Sequence, residues 1–214
     1  MPDAEAGLCK VGGAAFVAAG TLFLARDVLD LIAGPPPATG AAILTWVAVN
    51  KVVLSFVSEA TFFATMALVP AVFALYRSLS EVDRTKAAVG TGTIAVVIPL
   101  LAMLLVVHGR LVYPVFGLRV DTPAVAELVV ALYFGGLHAV WLLLSGATVV
   151  LSLVMWRHAA YGGVVAALGF ASSALDIAAS YPDAIGPAMT FGCEVVFSAW
   201  ITAVGVKLYG RTRV

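Results

Sequence analysis

Seven ionisable side chains fall within or beside long apolar stretches of the chain, and their types suit chemistry. They are Arg26, Asp27, Lys51, Glu59, His108, Asp176 and Glu194. An ionisable group inside a membrane-spanning helix costs on the order of 2.5 to 3.5 kcal/mol on insertion scales, so its presence marks a candidate functional site. Carboxylates together with an imidazole can bind cations, pass protons or activate water.

Polar residues continue from several of these positions at the spacing of one helix face. The three series are Thr190, Glu194, Ser198 and Thr202; Ser172, Asp176 and Ser180; and Lys51, Ser55, Ser58 and Glu59. A polar stripe on an otherwise apolar helix faces the bundle rather than the lipid. The stripes therefore predict one polar cavity between the helices.

The predicted layer holds more acid than base. Four carboxylates stand against two cations, namely Asp27, Glu59, Asp176 and Glu194 against Arg26 and Lys51. One interpretation is a purely structural ion-pair network, in which Arg26 also pairs with Asp30 at i, i+4. The other is a ligand site, because surplus buried acid has to be protonated, bind a cation or meet water.

Two further alternatives use the same residues. Glu59, Asp176, Glu194 and His108 are ligand types that suit Mn²⁺ or Zn²⁺, and carboxylates with a histidine could activate water in an intramembrane hydrolase. Neither an H-E-x-x-H nor a G-x-S-x-G motif occurs in the chain. We therefore predict no metal, no cofactor and no catalytic residue.

His138 differs from His108 in its predicted depth. It lies fifteen residues after Pro123, or about 22 Å from the outer surface at 1.5 Å per residue. Bis-histidine haem needs two imidazoles at matching depth, and His108 is predicted to lie much closer to the surface. We expect His138 to be a neutral histidine that is bonded to a neighbouring serine or carbonyl.

The composition defines the broad class. The chain has 214 residues, of which 62% are hydrophobic and 11% charged, against roughly 25% charged in soluble domains. This predicts an integral, multi-pass protein of the cell membrane. The formal net charge is zero, so a nucleic-acid partner is not expected.

Turn signals divide the chain into an all-α bundle of six transmembrane helices that forms a single domain over residues 1–214. The predicted helices cover residues 11–32, 51–76, 87–107, 124–155, 160–179 and 188–208. An additional interfacial helix is predicted at 41–50, with Trp46 at the level of the lipid headgroups. It is separated because one helix from 41 to 79 would measure nearly 60 Å, about twice the hydrocarbon core.

Counted from the nearest outer turn, the ionisable groups other than Lys51 lie at similar depth, about 9 to 14 Å. The sequence thus predicts one polar layer in the outer half of the bilayer. Lys51 begins the second predicted crossing and shares a face with Glu59. All seven are assigned to this layer as candidate ligand-binding residues.

The orientation is predicted from the Lys and Arg residues in the flanks. One side has Lys10, Arg77, Arg84, Lys86, Arg157, Lys207, Arg211 and Arg213, and the other has Arg26, Lys51, Arg110 and Arg119. Eight against four places the N and C termini in the cytoplasm.

Two segments resemble a known family. Residues 71–79, AVFALYRSL, follow a Pro-rich loop and an amphipathic stretch, and residues 200–209 read WITAVGVKLY. In these segments and in its hydropathy layout the chain resembles the six-helix bacterial membrane proteins of the DUF4386 family. The resemblance implies a six-helix fold; the family has no established activity, so no catalytic residue is implied.

The functional prediction is a membrane protein with an outward-facing buried polar pocket that binds or transports a small molecule or ion, with the lipid bilayer as its surroundings. The alternatives are the intramembrane hydrolase and a non-catalytic accessory subunit of a membrane complex. The sequence predicts no particular oligomeric state.

Overall fold

The structure, a computed structural model, describes residues 2–211 and is 86% helical. Its helices are α1 (Pro2–Ala33), α2 (Gly40–Leu79), α3 (Arg84–Val112), α4 (Pro123–Trp156), α5 (Gly162–Ala179), a short α6 (Pro182–Ile185) and α7 (Pro187–Gly210). Six of them are long and apolar enough to cross a membrane. The described residues form no strand. The predicted all-α bundle of six long apolar helices is confirmed.

The predicted interfacial helix at 41–50 is instead the beginning of α2, which runs without a break for 40 residues. The side chains of Asn50 and Ser55 bond the carbonyls of Trp46 and Lys51 one turn earlier, so they follow the helix rather than end it. The position of Trp46 relative to the lipid headgroups stays a prediction. Its Nε1 donates to the carbonyl of Ala33 at 2.9 Å and joins α2 to the end of α1.

The long helices close a ring in the order α1, α2, α3, α4, α5, α7, with α7 returning to α1 and α2 touching α4 across the centre. Gly12 packs against Ala74 and Leu208, so the start of α1 and the end of α7 share one end of the bundle. We call this the terminus end and the opposite one the distal end. Which end is cytoplasmic stays a prediction, and Arg213, one of the residues counted for it, lies outside the described residues.

Helices α1 and α7 approach each other closely. A Cβ atom added at Gly13 would stand 2.5 Å from the backbone nitrogen of Tyr209, and one at Gly205 would stand 2.7 Å from the carbonyl oxygen of Gly13. Small residues allow this approach in a bilayer, where no hydrophobic drive acts between helices. The contact fixes the height of α1 against α7.

The helices do not end at one height. His138 Nδ1 donates to the carbonyl of Ser180 at 2.8 Å, directly after α5, although His138 lies about 22 Å into α4. The distal parts of α2, α3 and α4 therefore extend past α5. They pack around a second, smaller apolar core formed by Ile43, Val47, Leu54, Val112 and Ala126.

Candidate functional site

Arg26 lies at the centre of a buried ion cluster formed by α1 and α7. Its guanidinium nitrogens stand 3.0 Å from Asp27, 2.8 Å from Asp30 and 3.4 Å from Glu194. Arg26, Asp27 and Glu194 are buried, whereas the side chain of Asp30 is 34% exposed. We call these four residues the Arg26 cluster.

Local helix geometry explains why these groups meet. Arg26 and Asp30 are one turn apart on α1, so they pair at i, i+4 as predicted. Ser198 lies one turn after Glu194 on α7, and its Oγ donates to Asp27 at 3.4 Å. The α1–α7 contact thus brings the acidic face of α1 against the polar stripe of α7.

Asp176 lies on α5 beside this cluster. Its side chain is fully buried, accepts a hydrogen bond from Ser172 Oγ at 3.2 Å and interacts electrostatically with Glu194. Its second oxygen, Oδ1, has no hydrogen-bond partner among the described residues. A buried polar atom without a partner is costly, so Asp176 is open to a proton, a water or a cation.

His108 is buried on α3 but is not joined to the carboxylates by a hydrogen bond. Its Nδ1 lies 2.8 Å from Ser58 Oγ, and its ring is 4.5 Å from that of Tyr133, measured between centroids. Within the described residues no carboxylate forms a hydrogen bond to His108. The ring is held in place by a neutral partner.

The structure corrects two members of the predicted site. Lys51 and Glu59 are exposed on α2 and do not approach the Arg26 cluster; Glu59 accepts a bond from Tyr113 at 3.2 Å instead. Adjacent helix residues point about 100° apart, so Ser58 faces inwards while Glu59 faces outwards. The polar stripe predicted on α2 is therefore not one buried face: Ser58 is buried in the bundle, whereas Lys51 and Glu59 are on its exposed surface.

The space beside Arg26 is very small. A cavity of about 10 Å³ beside Arg26 has a mainly apolar and aromatic lining that also includes Thr61 and Tyr133 but none of the cluster's carboxylates. Its volume is close to the minimum for a single water. No group of three or more His, Cys, Asp or Glu in the described part of the chain is arranged to hold a metal. This cavity is too small for an organic ligand.

Asp30 and Tyr133 belong to the site but were absent from its predicted members. Asp30 could have been found from its i, i+4 spacing to Arg26, which also predicted their pairing. Tyr133 carries no such signal, because the positions one helix turn away on either side, 129, 130, 136 and 137, have no polar side chain. Its position beside Arg26 and His108 follows from the packing of three helices.

The fold and the cluster define a multi-pass membrane protein that buries an acid-rich ion-pair cluster. Comparison with family models, with curated proteins and with solved structures found no match. The resemblance to DUF4386 accordingly stays a prediction.

Proposed function

We propose that the chain is a cell-membrane protein that binds protons, or one small monovalent cation, at the Arg26 cluster and Asp176. The observation that carries the proposal is the imbalance of charge around Arg26. One guanidinium stands against the carboxyls of Asp27, Asp30 and Glu194. With all groups ionised, two negative charges remain unbalanced, and Asp176 adds a third.

Burial makes this imbalance important. An uncompensated carboxylate in a low-dielectric interior costs far more than one in water, so the group takes up a proton or a counter-ion. A fully balanced structural network would need as many cations as acids. The described residues supply only Arg26 at this place, which favours ligand binding over the purely structural interpretation.

The dimensions favour a proton or a single ion over an organic molecule. The cavity beside Arg26 measures about 10 Å³, whereas pockets for organic ligands measure roughly 300 to 1,000 Å³. Asp30 is the partly exposed member of the cluster. It is the group through which we expect exchange with the distal side.

Infrared spectroscopy of the purified protein in lipid nanodiscs tests the proposal directly. We expect a carbonyl band of protonated carboxylic acid at neutral pH that shifts in D₂O, or a carboxylate band that shifts on addition of sodium or potassium. Glu194→Gln should weaken the responding band. Glu59→Gln, the same change at an exposed site, is the matched control and should leave it unchanged.

The two infrared bands distinguish proton binding from cation binding, because only the carbonyl band reports a protonated carboxyl and only the carboxylate band responds to sodium or potassium. If the spectrum shows neither a protonated carboxyl nor a change with either cation, the proposal is wrong. A band that disappears equally in both variants would also contradict it, because the signal would not come from the cluster. For transport, the expected result is a pH change inside proteoliposomes under an imposed ion gradient.

A further inference from the structure

A second site lies at the terminus end and shares no residue with the Arg26 cluster. It is a groove of about 580 Å³ whose lining includes Asp83 and Lys86 at the start of α3, Leu153, Trp156 and Arg157 at the end of α4, and Phe170 on α5. Its volume is within the range of roughly 300 to 1,000 Å³ that is usual for ligand sites.

The groove exists because α3 and α5 both pack on α4 but, within residues 2–211, not on each other. The last turn of α4 thus forms the floor and the two neighbouring helices form the walls. Trp156, which is 59% exposed, faces Phe170 with 6.4 Å between their ring centroids. Together with Leu153 these rings make an apolar channel that opens to the side of the bundle.

The mouth of the groove has one uncompensated positive charge. Lys86 forms a salt bridge and a backbone hydrogen bond to Asp83. The hydrogen bond from the Lys86 ammonium is the main reason why the pKa of Asp83 is below its usual value, so this pair stays ionised and neutral overall. Arg157 is exposed and has no acidic partner in the described part of the chain.

The groove lies where α4 ends and α5 begins, at the end of two helices that are apolar enough to cross a membrane. Arg157 directly follows α4, whereas Phe170 is eight residues into α5, about 12 Å towards the middle of the bundle. Guanidinium groups bind phosphate through paired donors, and aromatic rings concentrate at the membrane interface. A phosphate at the mouth and an acyl chain along the channel match this arrangement.

We infer that this groove binds one anionic phospholipid, with its phosphate on Arg157 and an acyl chain between Leu153 and Phe170. The site is independent of the proposed ion binding. Charge complementarity favours an anionic over a zwitterionic lipid, because one unpaired cation near a membrane surface contributes about 1 kcal/mol towards anionic lipid.

Native mass spectrometry of the full chain in detergent tests this inference with phosphatidylglycerol, phosphatidylcholine and inorganic phosphate as separate probes. We expect phosphatidylglycerol to bind more tightly than phosphatidylcholine, and Arg157→Gln to weaken phosphatidylglycerol about fivefold. Arg84→Gln is the matched control, because Arg84 is exposed at the same end but does not line the groove. It should leave the affinity within twofold of the wild type.

Three outcomes would overturn the inference. If Arg157→Gln and Arg84→Gln weaken phosphatidylglycerol binding equally, the lipid is attracted by the general positive charge of the terminus end. If phosphatidylglycerol and phosphatidylcholine bind equally well, Arg157 does not select an anionic lipid. Saturation by inorganic phosphate that displaces the lipid would identify a free-anion site. Far-ultraviolet circular dichroism in lipid-free detergent checks that both variants fold, and Phe170→Ala supplies a second variant that should weaken both lipids together.

Discussion

Arg26 and Lys51 were predicted to play the same part, and the structure places them in opposite surroundings. Arg26 is 5% exposed and has three carboxylate partners, whereas Lys51 is exposed and has none among the described residues. Both are basic residues in long apolar helices. The comparison shows that a charge in such a helix becomes a site only where neighbouring helices cover it.

The difference is energetic as well as geometric. Removing one partner of a buried ion pair leaves an uncompensated charge and costs about 3 to 5 kcal/mol. Removing a charge that no neighbouring residue covers usually changes stability by no more than about 0.5 kcal/mol. Matched substitutions in the two regions can therefore test whether burial by neighbouring helices makes the difference.

The largest effect is expected for Arg26→Gln, which leaves Asp27, Asp30 and Glu194 without their cation. We expect the free energy of unfolding to fall by about 3 to 5 kcal/mol, measured by denaturant titration in mixed micelles at neutral pH. Lys51→Gln, the control on α2, should stay within about 0.5 kcal/mol of the wild type. Equal losses of unfolding free energy in the two variants would show that Arg26 and Lys51 do not differ in their surroundings.

The next largest effect concerns the contact that holds the cluster together. In Gly13→Ala the new methyl group meets backbone atoms of Tyr209 and Gly205, so α1 and α7 have to separate. We expect a loss of about 3 kcal/mol, at the upper end for overpacking, by the same titration. Gly192→Ala on α7 has open space around it and should not be destabilised; a stable Gly13→Ala variant would contradict the close approach.

A smaller effect is expected on α2, which has one side in the bundle and the other side exposed. Ser58→Ala leaves buried His108 without its partner and should cost about 1 to 2 kcal/mol. Ser55→Ala, on the more exposed side of α2, removes only a bond to the helix's own backbone and should cost less than about 0.5 kcal/mol. Thermal unfolding of both variants in one lipid mixture measures the difference, and identical midpoints would refute the inward assignment of Ser58.

The smallest effect is expected when acids are neutralised. Glu59→Gln keeps an acceptor for Tyr113, and Glu194→Gln keeps one for Arg26 while it removes surplus negative charge. Each should remain within about 1 kcal/mol of the wild type in the same titration. A loss of several kcal/mol in Glu194→Gln alone would show that every carboxylate of the cluster is ionised and needed.

Much of the fold was predictable because long apolar segments between Gly, Pro and charged turns have one stable form in a bilayer, the helix. The candidate site was predictable in part. Asp176 and Glu194 are buried as their polar stripes indicated, and Arg26 and Asp27 are buried as well. The Arg26–Asp30 pair follows from spacing along a single helix. His108 is buried as well, but its partner is Ser58 rather than an acid.

Lys51 and Glu59 show why the rest could not be predicted. The predicted depth of each ionisable group is its distance from the outer turn of its helix, which assumes that all helices end at one height. The bond from His138 to Ser180 shows that α4 begins about 22 Å beyond the distal end of α5. The unbroken course of α2 through Asn50 likewise removes the turn from which Glu59 was counted.

The amino-acid sequence alone was enough to predict the class of protein, the six long apolar helices and the polar faces of α5 and α7. These properties depend on local transfer free energies and on the helical repeat, which act within one segment. Only the tertiary structure decided which faces meet, that Arg26 lies among three acids and that Glu59 lies outside. Those outcomes depend on relative helix heights and on close contacts such as Gly13 with Gly205, which no single segment encodes.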